Sequence, residues 1–149
     1  MSIETEIKQD KFKSAHNKLV VNLMYTSNWL SNDQHRLLHP FGLTIQQYNV
    51  LRILRGRHPK SVHLNYIIER MLDKMSNASR LVDKLFQKGL VERTECATDR
   101  RAVDVVITKK GLNLLKTLDG KQDEWEKIVY GISAEEAEQL SALLDKVRG

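Results

Sequence analysis

Ser76, Asn77, Ser79, Arg80 and Lys84 lie close together in the sequence. If residues 74–88 are helical, Ser76, Asn77, Arg80 and Lys84 share one side, with Ser79 on its flank. The opposite side then carries Ala78, Leu81, Val82 and Leu85. Serine and asparagine are short enough to let a backbone approach base edges, asparagine can bond adenine bidentately and arginine can do the same with guanine. The free N–H groups of a first helical turn add a site for phosphate. A second group is Asp99-Arg100-Arg101, within the short polar connection 97–101. An arginine there suits a narrow minor groove, another suits a phosphate, and Asp99 can hold an arginine in direction. Groups of these types suit contact with a duplex rather than the making or breaking of bonds. The sequence has no Gly-rich phosphate loop, HExxH, Gly-x-Ser-x-Gly or nucleophile–base set, so no enzyme and no cofactor are expected.

The elements that position these groups follow from periodicity. Phe12, Ala15, Leu19, Leu23 and Leu30 predict a helix over 10–37, ended by Pro40. Thr44 to Gln47 has the form of a capping box and opens a helix carrying Tyr48, Leu51 and Leu54, stopped between Gly56 and Pro59. A short helix over 64–72 comes next, and Asp73 is the expected cap of the helix 74–88, which Gly89 stops. Then the period changes to two. Leu90 to Cys96 and Ala102 to Thr108 read as strands of a hairpin. Thr108 or a neighbour caps a fifth helix with Leu112, Leu115, Leu118, Trp125, Ile128 and Val129 on its apolar side, weakened at Gly120 and ended at Gly131. Ser133 to Glu136 is a second capping box, opening a last helix with Leu140, Leu143, Leu144 and Val147. Two short helices, a tight turn and a hairpin describe a winged helix-turn-helix, mainly α with a small β wing.

Residues 79–85 (Ser-Arg-Leu-Val-Asp-Lys-Leu), 88–93 (Lys-Gly-Leu-Val-Glu-Arg), 99–102 (Asp-Arg-Arg-Ala) and 108–111 (Thr-Lys-Lys-Gly) together resemble the signature of the MarR (multiple antibiotic resistance regulator) family. The resemblance implies a sequence-specific transcription regulator, usually a repressor. It would bind a pseudo-palindromic operator as a homodimer, with the helix 74–88 in the major groove and the wing 97–101 at the minor groove. By position, Met75, Ser76, Asn77, Ser79 and Arg80 match the groove-facing segment, and Asp99, Arg100 and Arg101 match the wing tip. It divides a single domain, 1–149, into a DNA-binding lobe of about 42–111 and dimerisation helices of about 1–38 and 112–149. Residues 71–75 (Met-Leu-Asp-Lys-Met) depart from the common Leu-Gly-Val-Ser-Arg, so no operator sequence can be borrowed. The resemblance also implies a small aromatic effector, with Tyr25, Trp29 and Tyr48 as candidate lining residues.

Charge and composition agree with this reading. The net charge is +5, and the excess of Lys and Arg falls in residues 52–111, while residues 112–149 are acidic. A basic middle attracts phosphate backbones. The terminal helices carry more apolar surface than a small lobe can cover. Phe12, Leu19 and Leu23 with Leu140, Leu143, Leu144 and Val147 are therefore the expected dimer interface, and a two-fold dimer matches a palindromic site. His35 and His39 have i, i+4 spacing, but no Cys/carboxylate set accompanies them and no metal is expected. Cys96 is the one cysteine and is expected to be inert. An acidic start and the absence of an apolar run of about 20 residues point to a cytoplasmic protein without a membrane span. The rival reading is a winged-helix adaptor that binds protein rather than DNA; the wing arginines oppose it.

Overall fold

The apolar residues of the middle of the chain gather into one core. Leu38, Leu51, Leu54, Ile67, Leu85, Leu115 and Leu118 are its largest fully buried side chains, joined by Val50, Val82, Val91 and Val105. The computed structural model describes residues 1–96 and 98–149, and within these every side chain except those of Cys96, Arg100 and Arg101. In chain order the elements are α1 (Ile3–Ile7), α2 (Ala15–Leu38), a 3-10 turn (His39–Phe41), α3 (Ile45–Arg55), β1 (Val62–His63), α4 (Leu64–Arg70), α5 (Ala78–Gln87), β2 (Val91–Cys96), β3 (Asp99–Ile107), α6 (Lys109–Asp119), α7 (Gln122–Glu126), a 3-10 turn (Lys127–Val129) and α8 (Ala134–Arg148).

The caps written in the sequence set most of the boundaries. The Thr44 hydroxyl accepts from the Gln47 N–H at 3.1 Å, while Gln47 Oε1 accepts from the Thr44 N–H at 3.2 Å, closing the capping box of α3. Ser133 and Glu136 close the same box on α8, and Thr108 caps α6. Pro40 sits in the 3-10 turn that ends α2. The three strands form an antiparallel sheet in the order β1-β3-β2. Val62 pairs with Val105 and Val91 with Ile107, which turns Val62, Val91, Val105 and Ile107 into the core. β1 escapes sequence reading because two residues are too short to show alternation.

Three expected helices besides the recognition helix change length. The first does not start at residue 10: the Ser14 hydroxyl accepts from the Asn17 N–H at 3.1 Å and starts α2 at Ala15. A serine bonding its own backbone offers the chain this cap in place of another helical turn. Phe12 therefore lies in the connecting segment, half-buried, and α1 is an extra turn of helix that periodicity does not reveal. The helix expected over 64–72 ends at Arg70. The expected fifth helix divides at Gly120 into α6, α7 and a 3-10 turn. No helix among the described residues is long and apolar enough to cross a membrane.

Candidate nucleic-acid interface

α5 is held at both ends. Asn77, not Asp73, is its N-cap: the Asn77 Oδ1 accepts from the Arg80 N–H at 3.0 Å. Asp73 instead folds a turn of its own, its Oδ1 accepting from the Met75 N–H at 2.9 Å. Residues 74–77 thus stand in front of the helix, and the expected recognition helix 74–88 shortens to Ala78–Gln87. At the other end the Leu90 N–H donates to the Leu85 carbonyl and the Gly89 N–H to that of Phe86. These are the two bonds of a Schellman motif, with Gly89 at φ +71°. Ala78, Val82 and Leu85 are buried and Leu81 is half-buried, while Ser79, Arg80 and Lys84 face outward. Met75 is 93% exposed. Asn77 is exposed, with its Oδ1 committed to the cap. Ser76 differs from expectation, because its hydroxyl oxygen is buried and has no hydrogen-bond partner. A concave surface between the starts of α3 and α5 is lined by Thr44, Gln46, Ser76, Asn77, Arg80 and Lys84, among others.

Much of the motif spelling around α5 is scaffolding. The Arg93 guanidinium pairs with the Asp83 carboxylate and lies 4.8 Å from the Phe86 ring centroid, clamping β2 to α5. Lys88 donates to the Gly42 carbonyl and, at 3.0 Å, to Gln47 Oε1. The Thr108 hydroxyl donates to the Gly89 carbonyl at 2.7 Å and accepts from the Gly111 N–H at 3.2 Å. A Cβ on Gly111 would stand 2.4 Å from the Leu90 carbonyl oxygen and 2.7 Å from Ile107 Cγ1. The Thr-x-x-Gly spelling therefore joins the end of α5 to the start of α6 at backbone contact.

The second strand of the wing begins earlier than expected. Cys96 pairs with Asp99, and Asp99, Arg100 and Arg101 belong to β3 rather than to the connection expected over 97–101. Glu95 pairs with Val103 while the next residue, Cys96, pairs with Asp99, so the register shifts between Glu95 and Cys96. Such a shift marks a bulge or irregularity that interrupts the ladder locally. Asp99 is exposed. The side chains of Cys96, Arg100 and Arg101, and all of Ala97, lie outside the described residues.

The remaining expected residues fall in two places. Leu19, Leu140, Leu143 and Val147 are exposed, and Leu23 and Leu144 are half-buried. Tyr25 and Trp29 line a surface cavity together with Ile3, Glu6, Asn22 and Thr26. The Tyr25 hydroxyl donates to Glu6 Oε2 at 2.6 Å, which holds its pKa above the usual tyrosine value. Tyr48 is not among the residues lining that cavity; it is buried, edge-on to Trp125 at 4.6 Å between ring centroids. The aromatic trio is thus divided, because α3 turns Tyr48 into the core. His35 and His39 have ring centroids 5.8 Å apart, and no group of three metal-ligating side chains occurs among the described residues.

A helix-turn-helix of α4 and α5 followed by the β2–β3 hairpin, on a shared core with α3, defines a winged helix-turn-helix. Residues 41–102 match the MarR family profile. A MarR transcription factor from Planctomyces limnophilus is 32% identical, with a TM-score of 0.70 over 91% of this chain and 98% of that one. MepR from S. aureus, solved in complex with DNA, is 25% identical, with a TM-score of 0.75 over 92% and 97%. BpsR from Bordetella bronchiseptica is 18% identical, with a TM-score of 0.79 over 89% and 99%. The chain belongs to the MarR family of winged-helix transcription regulators.

Proposed function

We propose that this protein is a sequence-specific DNA-binding repressor that acts as a homodimer on a pseudo-palindromic operator. The observation that carries the reading is α5: its apolar side is sealed in the core, its ends are fixed by the Asn77 cap and the Gly89 turn, and Ser79, Arg80 and Lys84 stand outward on it. Such a helix fits the major groove, where its first turn meets base edges. In this reading Met75, Asn77, Ser79 and Arg80 face the bases, Lys84 meets phosphate, Ser76 supports the turn from inside, and Asp99, Arg100 and Arg101 serve the wing at the minor groove.

The dimer reading rests on unburied apolar surface. Among the described residues α2 buries only Leu38, and α8 buries none. Leu19, Val20, Met24, Leu140, Leu143 and Val147 are all exposed. Pairing the terminal helices of two copies covers these residues, with Phe12, Leu23 and Leu144 at the same seam. In this reading such a pairing must also set the two α5 helices one DNA turn apart, about 34 Å.

In BpsR, DNA binding is regulated by 6-hydroxynicotinic acid. By analogy a small aromatic acid or phenol is the class of effector for this chain, and the cavity at Tyr25 and Trp29 is where it would enter. A coupling of a few kcal/mol between that site and lobe spacing is sufficient to release DNA.

Selection of binding sites from a random duplex library, followed by footprinting, tests the proposal. Two protected half-sites related by a dyad are expected. An enriched but asymmetric site covering one half only would contradict the dimer, and no enrichment would contradict the DNA reading itself.

A further inference from the structure

Two large apolar side chains stand where a soluble surface would ordinarily carry polar ones. Leu72 is 85% exposed and Met75 93% exposed, on the turn between α4 and α5. Neither packs in the core, and neither belongs to the terminal helices that carry the dimer surface. The turn itself is fixed. The Leu72 N–H donates to Asn49 Oδ1 at 2.9 Å, the Met75 N–H to Asp73 Oδ1 at 2.9 Å, and the Ser76 N–H to the Asp73 carbonyl at 3.2 Å. Lys74 Nζ donates to the Glu69 carbonyl at 2.5 Å. With these donors satisfied inside the turn, Leu72 and Met75 are among the groups it offers outward. The surface runs directly into the start of α5, where Ser79 and Arg80 are exposed.

We infer that Leu72 and Met75 are specificity-determining residues that contact the C5-methyl groups of thymines in the major groove. The inference rests on the DNA-binding reading above and adds the chemistry of what is read. The thymine methyl is the one apolar group on the major-groove edge of a base pair, and apolar side chains are its natural contacts. DNA is the occupant because the pair continues the α5 surface, whose neighbouring outward groups are the cations Arg80, suited to a base edge, and Lys84, suited to phosphate. Asn49 is the positioning residue, since its side chain holds the Leu72 backbone from α3.

The test removes single methyl groups. Sites selected by the full-length protein are remade with deoxyuridine replacing thymidine at one position at a time, which keeps the base pair and deletes only the methyl. At one or two thymines in each half-site, wild-type affinity should fall about three- to five-fold, the scale of one lost apolar group. At each such thymine the replacement should leave unaffected the variant, M75A or L72A, that lacks the contacting side chain. Both side chains are exposed, so these variants should melt with the parent, which thermal unfolding checks. Tight binding that ignores deoxyuridine everywhere, or falls equally in parent and variants, overturns the inference and leaves DNA binding standing. Failure to enrich any site overturns both, and assigns the apolar pair to some contact other than DNA.

Discussion

At the residue scale, the structure separates side chains that build the lobe from those it leaves facing outward. Arg93 looks in the sequence like one more cation of a basic region, yet it is paired with Asp83 and laid against Phe86. Lys88 is likewise bound to Gly42 and Gln47. Sequence alone could not make this distinction, because it depends on which strand residue reaches which helix residue. Asn77 is a mixed case: the sequence offers it as a reader of bases, and the structure uses its Oδ1 as a cap. Asn77→Ala should therefore cost about 1 kcal/mol of stability as well as DNA affinity, whereas Asn77→Asp should keep the cap and lose affinity only. Urea denaturation beside DNA titration separates the two. Gly111 was legible as part of a motif, though its reason was not. Since a Cβ there would meet the Leu90 carbonyl oxygen at 2.4 Å, Gly111→Ala should destabilise the protein by about 1–3 kcal/mol, read as a lower urea midpoint at unchanged slope.

At the element scale, caps and stops were the legible features and long-range docking was not. The boxes at Thr44 and Ser133 and the break at Gly89 stand in the structure where the sequence puts them. The start of α5 escapes the sequence because Asp73 and Asn77 are both good caps within a few residues, and only the docking of α4 against α5 decides between them. One inter-helix tie has a pH signature. Arg55 on α3 donates to both carboxylate oxygens of Asp119 at the end of α6, at 2.7 and 3.1 Å, which holds the Asp119 carboxyl below its ordinary value. A depressed folded-state pKa stabilises above the unfolded value, near 3.9, and that contribution is lost as pH falls through the folded one. Stability should thus drop as the medium is acidified below about pH 4, and Asp119→Asn should show a shallower drop over that window. Both side chains are partly exposed, so the effect should be modest and weaker in high salt. The wing gives a further prediction. Arg101→Ala should weaken binding to every duplex alike and reduce the salt slope by about one; equal binding by variant and parent would remove Arg101 from the interface.

At the scale of the whole molecule, the described chain is a finished lobe carried on unfinished helices. The core is built by α3 to α6, the sheet and Leu38 at the end of α2, while among the described residues the rest of α2 and all of α8 leave their apolar residues exposed or half-buried. The amphipathic spacing of these helices was readable in the sequence; the degree to which a single copy leaves them bare was not, since it depends on how the helices emerge from the lobe. Leu143→Glu should yield folded monomers in sedimentation experiments, because Leu143 is 59% exposed and outside the core. Those monomers should bind DNA far more weakly than the parent, as only one lobe then engages at a time. The most direct test of the central claim is binding of the folded protein to a duplex from the region upstream of its own gene and to a scrambled duplex across a salt series. Preferential binding to the upstream duplex, with log affinity falling linearly in log salt, is the predicted result; no binding to either duplex at low salt would contradict the account.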